Sequence, residues 1–172
     1  MHAIRFFLCS LVLSACSTVQ HNSADEQLRE LYERTWAWQQ QERAQLRTPD
    51  GNWEADDHLP SVTAESYANR LFYWEEALDE LQQIPRGALS VNERVNAAVF
   101  KQIVTTDASN ARYKTYEAPL NSDTFFWGEM HPQQSGFDDL AAYERYLGRL
   151  QDLPRYFTEN QDNMRAGLAR GY

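Results

Sequence analysis

Apolar side chains recur every three or four residues over most of the chain beyond residue 23, and this spacing predicts amphipathic helices. The first helix is expected over residues 24–46, with Ser23 or Asp25 as its N-cap. Its apolar face consists of Leu28, Leu31, Tyr32, Thr35 and Trp38. Residues 48–52 are turn-forming (Thr48-Pro49-Asp50-Gly51-Asn52), so they are expected to end the helix in a loop.

The second and third helices have clear start signals. The second is expected to begin near Thr63 and to stop at Pro85-Arg86-Gly87. The third begins at Ser90-Val91-Asn92-Glu93, which matches a capping box in which the serine and the glutamate bond each other's backbone amides. The apolar stripe of the second helix is Tyr67, Leu71, Trp74, Leu78 and Leu81, and one face of the third carries Val91, Val95, Ala98, Val99, Gln102 and Ile103.

Two further helices are predicted near the carboxyl end. The fourth is expected to begin after Ser135-Gly136-Phe137-Asp138. Its predicted buried side is formed by Leu140, Tyr143, Leu147 and Leu150. Leu153-Pro154 predicts a tight corner, because proline fits the first turn of a new helix. The fifth helix then covers Arg155 to about Ala169, with Gly171 as its C-cap.

Residues 113–134 interrupt the helical pattern, because aromatic residues mix there with Pro119, Gly128 and Pro132. This segment is predicted to be irregular, with a short extended pair around Tyr116 and residues 125–127 (Phe125-Phe126-Trp127). The expected fold class is therefore all-α. It is a helical array of about five helices in one domain over residues 24–172, with one irregular, aromatic-rich segment that holds a short β-hairpin.

The first sixteen residues have the pattern of an export signal. Arg5 supplies the positive region and residues 6–13 supply an apolar core that is too short to span a bilayer. Leu13-Ser14-Ala15-Cys16 resembles the bacterial lipobox, in which the cysteine becomes the lipidated first residue. We therefore expect residues 1–15 to be a lipoprotein signal peptide and residues 16–23 to form a lipidated tether. The alternative is an ordinary secretory signal that contains a cysteine.

The residue after the cysteine predicts where the anchored protein is sorted. Ser17 stands where the bacterial rule for inner-membrane retention requires aspartate. We therefore expect a protein anchored to the outer membrane through lipidated Cys16 and facing the periplasm, since two or more acyl chains hold a protein firmly. Cys9 would be removed with the signal and Cys16 would be alkylated, which leaves no free thiol in an oxidising compartment.

Charge and motif content exclude several functional classes. Sixteen basic residues against 25 acidic ones give a formal charge of −9, which argues against a nucleic-acid-binding surface. Two cysteines cannot form a disulfide-rich scaffold or a four-thiolate metal site. The sequence contains neither a Gly-x-Ser-x-Gly elbow nor a glycine-rich phosphate loop. We therefore assign no catalytic residue from the sequence.

Metal ligands are equally sparse. No two histidines stand four residues apart on a helix, and no glutamate lies three residues before a histidine. The segments Asp56-Asp57-His58 and Glu129-Met130-His131 could donate ligands, but such groups are common in solvated loops. We assign no metal site in this chain. The acidic cluster of Glu75, Glu76, Asp79 and Glu80 flanks an apolar stripe, so it is expected to be a solvated surface.

Aromatic residues are the remaining unusual feature, with 22 in the chain. Exposed rings can stack on sugars or peptides, and Trp53 and Trp127 are the best candidates for a ligand contact because both are expected in loops. Core or inter-domain packing is the simpler explanation for both residues, since large rings are seldom left in water. Trp74 is expected to pack in the core, because it lies on the stripe of the second helix.

A resemblance to a known family covers most of residues 26–172 and rests on the order and spacing of several segments. These are Leu28 to Trp36, Phe72 to Leu81, Ile84-Pro85, Leu89 to Asn96, Pro119-Leu120, Phe137 to Leu140, Tyr143, Tyr146-Leu147, Arg149-Leu150, Leu153-Pro154, Tyr156 and Met164 to Gly167. Taken together, they resemble a bacterial family described as domain of unknown function 885.

The resemblance implies helical periplasmic lipoproteins similar to zinc metallopeptidases, with a histidine–glutamate–histidine motif downstream of the region seen here. Gly171-Tyr172 precedes any such motif. We therefore expect the N-terminal, non-catalytic part of such a protein, with zinc implied only for the full-length family. Its expected partners are a missing C-terminal catalytic portion and a peptide substrate. The alternative is a self-sufficient helical lipoprotein that binds a glycan or a peptide.

Overall fold

The computed structural model describes residues 23–120, 126, 137 and 139–172. This part of the chain has four α-helices, namely α1 (Ala24–Glu42), α2 (Ala64–Gln83), α3 (Val91–Arg112) and α4 (Leu140–Arg170). One antiparallel hairpin pairs β1 (Gln45–Arg47) with β2 (Trp53–Ala55), and 3₁₀ turns cover Arg86–Ala88 and Thr115–Glu117. The predicted all-α class with one short hairpin is confirmed, although the hairpin and the helix count differ from the prediction.

Helix α1 begins at the predicted N-cap. The Ser23 hydroxyl accepts a hydrogen bond from the Glu26 amide at 3.2 Å, and the Glu26 carboxylate accepts one from the Ser23 amide at 2.9 Å. These reciprocal bonds satisfy two amides that would otherwise lack partners. The helix ends at Glu42, before the predicted end at Leu46, because Ala44 adopts a left-handed backbone (φ 53°) that turns the chain into β1.

The hairpin forms around the predicted turn at residues 48–52. The Thr48 amide donates to the Asn52 carbonyl at 2.9 Å, and Gly51 has a φ of 89°, which glycine adopts without strain. The hairpin predicted around Tyr116 is wrong, because Tyr116 lies in the second 3₁₀ turn. Residues 125 and 127, which were assigned to that predicted pair, lie outside the described residues.

Helices α1, α2 and α3 share one hydrophobic core. Leu28 and Leu31 of α1 and Val104 of α3 are almost completely enclosed. Trp74, which was predicted on the α2 stripe, packs against this core. The buried members are Leu28, Leu31, Ala77, Ile84, Leu89, Phe100 and Val104. The packing confirms the predicted inner faces in part: Leu28, Leu31 and Tyr32 of α1 and Trp74, Leu78 and Leu81 of α2 lie in or against the core. The buried residues of α2, however, are Arg70 and Ala77, which the predicted stripe does not include.

Only half of the predicted capping box forms at the start of α3. The Ser90 hydroxyl accepts from the Glu93 amide at 3.3 Å, as predicted. The Ser90 amide, however, donates to the carboxylate of Asp25 at 2.9 Å, while the Glu93 carboxylate bonds Asn96. A carboxylate from α1 thus caps α3, so the first turns of the two helices are joined.

The apolar face predicted for the third helix points away from the core. Val91, Val95, Val99 and Ile103 are each more than half exposed. The side packed inward is formed instead by Glu93, Phe100, Val104, Ala108 and Ala111. Both series have helical spacing, so periodicity alone could not decide which one is buried.

The predicted corner at Leu153-Pro154 is wrong, because α4 continues through Pro154 as one helix. The predicted fourth and fifth helices are therefore a single element. Its buried positions are Tyr146, Tyr156, Asn160, Asn163 and Gly167. The predicted buried side, made of Leu140, Tyr143, Leu147 and Leu150, is exposed. Among the described residues, no helix is both long enough and apolar enough to cross a membrane.

Side chains of α4 hold the loop that precedes α2, residues 59–62. Asp152 accepts from the Leu59 amide and Glu159 from the Val62 amide, both at 2.8 Å. The Arg155 guanidinium donates to the Leu59 carbonyl at 2.7 Å and also bonds both carboxylates. This network satisfies backbone groups of a loop that has no secondary structure, so it fixes α4 against the rest of the fold.

The network should weaken in acid, and Asp152→Asn tests this. The Arg155 guanidinium lowers the pKa of Asp152. A carboxyl whose pKa is lowered by folding stabilises the protein above its unfolded pKa of about 3.9, and the contribution is lost as pH falls through the folded pKa. The variant should lose about 1–2 kcal/mol of unfolding free energy at about pH 6, and less at about pH 3. Urea denaturation at the two pH values measures both losses.

Asp162→Asn is the matched control for that experiment. Asp162 pairs with Arg165 at the same i, i+3 spacing on α4, but both side chains are exposed. Exposed pairs contribute little, so the control should change stability by less than about 0.5 kcal/mol at either pH. Equal losses for the two variants would contradict the role given to Asp152.

Candidate functional site

Three rings join α1 to α2 beside the core. Trp38 of α1 stacks on Tyr73 of α2, with ring centroids 3.7 Å apart and planes 13° apart. The same indole meets Trp74 edge-on, with centroids 5.8 Å apart. These contacts fix Trp74 in place, because its ring is held from one side by another large ring.

On its other side, Trp74 borders a cavity of about 340 Å³ that we call the aromatic pocket. The pocket lies among α2, α3, the second 3₁₀ turn and α4. Its rings are Tyr67, Trp74, Tyr116, Phe126 and Tyr156. Other lining residues include Val62, Asp107, Asn110, Thr115 and Asn160. The volume falls at the lower end of the range for small-ligand sites, and the mixture of rings with few polar groups is typical of them.

Tyr67 and Tyr116 form one wall of the aromatic pocket. Their rings are stacked in parallel, with centroids 3.9 Å apart and planes 4° apart. Burial raises the pKa of both phenols, so each hydroxyl stays protonated at neutral pH and can donate a hydrogen bond. The guanidinium of Arg70 stands 5.0 Å from the Tyr67 ring centroid, within the range of a cation–π contact.

Phe126 and Tyr156 form the part of the pocket next to α4. The two rings meet at a steep angle with centroids 5.9 Å apart, and the Tyr156 hydroxyl donates to the Phe126 carbonyl at 3.3 Å. Phe126 also meets Phe157 edge-on at 5.1 Å. The ring of Phe126 is therefore held by two residues of α4.

Among the described residues that line the aromatic pocket, Asp107 is the charged one. Burial raises the pKa of its carboxyl, and the charge of Arg43 offsets this only in part. The amide of Gln39 donates to the carboxylate at 3.3 Å. The buried Nε1 of Trp74 has no hydrogen-bond partner among the residues that the structure describes. A partly desolvated acid and a residue with an unsatisfied donor therefore line the same cavity, and such polar groups are common at functional sites.

Trp53, one of the two residues proposed from sequence for ligand contact, does not line this pocket. Trp53 is half-buried on β2, opposite Arg47, and Trp127 lies outside the described residues. Cys16, the predicted lipidation site, also lies outside them. The sequence pattern placed Tyr67 on a helical stripe and Tyr116 in the irregular segment, but it did not indicate that the two rings are in contact. Asp107 lies where the apolar periodicity of the third helix weakens, so the sequence did not indicate that it lines a pocket.

Comparison with known proteins identifies a family for the chain. A family model described as "Bacterial protein of unknown function (DUF885)" matches residues 39–172. The chain belongs to this family. The match includes every residue of the aromatic pocket and begins within α1. No curated protein matches the chain, and no solved structure does. Membership of DUF885 therefore relates the chain to other bacterial proteins but does not identify a reaction.

A catalytic zinc centre does not fit the described residues of this DUF885 chain. Their one cluster of potential ligands is Asp56, Asp57 and His58, whose ligand atoms lie within 4.8 Å of one another. Asp57 and His58 are exposed and already paired, with His58 Nδ1 3.0 Å from the Asp57 carboxylate. Three consecutive loop residues without a buried supporting shell do not form a catalytic metal site.

Proposed function

We propose that this DUF885 chain is a lipid-anchored envelope protein that binds peptides at the aromatic pocket without cleaving them. The lipobox-like sequence ending at Cys16 supports the anchor and the periplasmic location at the outer membrane. The resemblance to metallopeptidase-like lipoproteins supports a peptide as the ligand. In this proposal the chain is the substrate-holding, non-catalytic portion, and a catalytic portion carrying zinc is its partner.

The observation that carries the proposal is the combination of Asp107 with several aromatic rings around one cavity. Asp107 is the charged member of the lining among the described residues, so this part of the pocket favours a cation over an anion. Ring faces also attract ammonium and guanidinium groups. We therefore infer that the pocket takes a lysine or arginine side chain of the peptide, with its alkyl stem among the rings that line the pocket.

The tripeptide Ala-Lys-Ala tests this inference, and Asp107→Asn is the critical variant. Calorimetric titration should show saturable binding of Ala-Lys-Ala and much weaker binding of Ala-Glu-Ala. The variant should bind Ala-Lys-Ala about tenfold more weakly, which corresponds to about 1.4 kcal/mol. Asp79→Asn, an exposed carboxylate of α2 outside the pocket, should bind like the parent protein.

Loss of folding cannot account for the expected loss of binding. Because burial raises the pKa of Asp107, its ionised form costs stability at pH values above that pKa. The asparagine variant carries no such charge, so it should be at least as stable as the parent protein at neutral pH. Thermal unfolding of both proteins checks this.

Other outcomes would overturn parts of the proposal. Equal binding of the lysine and glutamate peptides would remove the role of Asp107. Binding of chitobiose but of neither peptide would favour the glycan alternative, and loss of that binding in Trp53→Phe would place the site on β2. Peptide hydrolysis by the purified chain, abolished by a chelator and restored by zinc, would contradict the non-catalytic role.

A further inference from the structure

A groove of about 540 Å³ lies between α2 and α3, and none of its described lining residues belongs to the aromatic pocket. Both helices and the turn between them supply apolar lining, namely Leu78, Leu81, Ile84, Leu89, Ala97 and Ala98. Ile84 and Leu89 are buried members of the core that α1, α2 and α3 share. The groove therefore reaches from the protein surface to the core.

The charged residues that line this groove, among those that the structure describes, are all cations: Arg86, Arg94 and Lys101. All three are exposed, and none forms an ion pair with another described residue. Most other arginines and lysines of the described chain are paired, as Arg112 is with Glu75 at 2.6 Å. Unpaired positive charge thus lines one apolar groove of a protein whose formal charge is −9, and we call it the basic groove.

Carboxylates near these cations in the sequence are directed elsewhere. Glu93, which precedes Arg94, is buried and lies 3.7 Å from the guanidinium of Arg29. The acids near the end of α2 line a different pocket, beside α1, and they are Glu76, Asp79 and Glu80. The basic groove therefore keeps its positive charge, so it favours an anionic ligand.

The cations are spread along the basic groove. Arg94 and Lys101 are seven residues apart on α3, which is close to two full turns, so they face the same side. Their positions are separated by about 10 Å along the helix axis. This spacing matches a row of carboxylates better than it matches a single anionic group.

The walls of the basic groove favour a helical occupant. They are formed mainly by helices, whose backbone amides and carbonyls already bond one another. An extended peptide would leave its own backbone groups unpaired against these apolar walls, whereas a helix satisfies them internally. From Arg94 to Thr105 the groove follows α3 for about 17 Å, which is the length of about three helical turns.

We propose that the basic groove binds an acidic amphipathic helix of a partner protein. The apolar side chains of that helix would pack between α2 and α3, as in other complexes in which a helix lies in an apolar groove. Its carboxylates would meet Arg94 and Lys101, and this charge match would select acidic partners over basic ones. The interaction depends neither on the proposed lipid anchor nor on peptide binding at the aromatic pocket.

A synthetic peptide of repeated Leu-Glu-Ala-Leu-Glu-Glu-Ala units tests the proposal, with about two units to match the length of the groove. The fluorescence anisotropy of the labelled peptide should rise saturably as the purified chain is added. The same peptide with lysine in place of every glutamate should bind about tenfold more weakly or not at all. Binding of the glutamate peptide should also weaken as salt is added, because salt screens exposed charges.

Ala98→Glu is the critical variant. Ala98 is an exposed lining residue, four positions after Arg94 and three before Lys101, so a carboxylate there would pair with both cations. The glutamate peptide should bind this variant about tenfold more weakly. Ala166→Glu, at an exposed position of α4 outside the groove, is the matched control and should bind like the parent protein. Circular dichroism should show that both variants are folded.

Removal of the cations provides an independent variant. Arg94→Gln combined with Lys101→Gln should weaken binding of the glutamate peptide by about tenfold. Arg47→Gln combined with Arg165→Gln changes the net charge equally at exposed positions outside the groove. This second pair should leave binding close to that of the parent protein.

Four outcomes would overturn the proposal. The first is equal binding of the glutamate and lysine peptides, and the second is binding that Ala98→Glu leaves unchanged. Self-association of the chain that replaces peptide binding and is lost in Ala98→Glu would assign the groove to a second copy. Binding to phosphatidylglycerol vesicles that is lost in Ala98→Glu, without binding of the glutamate peptide, would assign it to a lipid surface.

Discussion

Leu28→Ala should lower the free energy of unfolding by about 3–4 kcal/mol, because it empties the centre of the core. Leu28 has 0% of its surface exposed and packs in the cluster shared by α1, α2 and α3. The substitution removes three carbons from a site enclosed by three helices, so little collapse is possible to fill the cavity. Urea denaturation at neutral pH measures the change, with the m-value checking that unfolding stays two-state.

Leu168→Ala is the matched control for Leu28. Leu168 is also helical, in the last turns of α4, but 73% of its surface is exposed. The control should change stability by less than about 0.5 kcal/mol. A loss at Leu168 as large as the loss at Leu28 would contradict the core described above.

Gly167→Ala should cost about 3 kcal/mol, near the upper end for added volume in a packed site. A Cβ at this position would lie 2.5 Å from the carbonyl oxygen of Glu117, which is backbone and cannot rotate away. Glu117 is itself buried and held by Arg170 and Lys114. The 3₁₀ turn that carries Tyr116 would therefore have to move off α4.

That displacement gives the Gly167 variant a second measurable effect. Tyr116 forms a wall of the aromatic pocket, so binding of Ala-Lys-Ala should weaken together with stability. Gly87→Ala is the control, because a Cβ there meets nothing within 4 Å. It should leave binding unchanged and stability within about 0.5 kcal/mol. Normal stability and binding in Gly167→Ala would show that the close approach of the turn to α4 is incorrect.

Helix starts were predictable from the sequence because local chemistry decides them. Ser23, Thr63 and Ser90 each use the hydroxyl to accept a bond from an amide three residues later, as their types and spacing indicated. The turn at residues 48–52 was predictable for the same reason. Its use in a hairpin was not, because the three-residue strands on either side are too short to give a periodic signal.

The inner face of α3 could not be predicted because the helix has two apolar series. Val91, Val95, Val99 and Ile103 make the more hydrophobic one, yet Phe100, Val104, Ala108 and Ala111 are buried. Which series is buried depends on how α3 packs against the other helices, and the sequence of α3 alone does not determine that packing. Contacts between helices, rather than hydrophobicity along one helix, therefore determine which face of α3 is buried.

The corner predicted at Pro154 is absent because the tendency of proline to interrupt a helix is outweighed by contacts with residues distant in sequence. A proline inside a helix removes one backbone hydrogen bond. Asp152, Arg155 and Glu159 flank it on α4 and bond the 59–62 loop, which lies more than 90 positions earlier in the sequence. Those bonds require helical geometry on both sides of the proline.

The aromatic pocket was also not predictable from the sequence, because it is formed by residues that lie far apart in the chain. Its stacked pair joins Tyr67 to Tyr116, and its acid comes from a third element. Nothing local distinguishes these tyrosines from the other seven in the chain. Trp53 was predicted as a ligand contact because it was expected to be exposed in a loop. Whether a ring lines a binding site, however, depends on the residues that the fold places around it.

The bond from the Ser90 amide to Asp25 also has a mechanical consequence. A pull applied to the amino end of the chain reaches α1 first, and through this carboxylate it reaches α3 at once. Tension is then shared by two helices whose inner sides already meet in the core, so peeling α1 away must also break its bond to α3. Rupture under force should therefore require more than the unravelling of α1 alone.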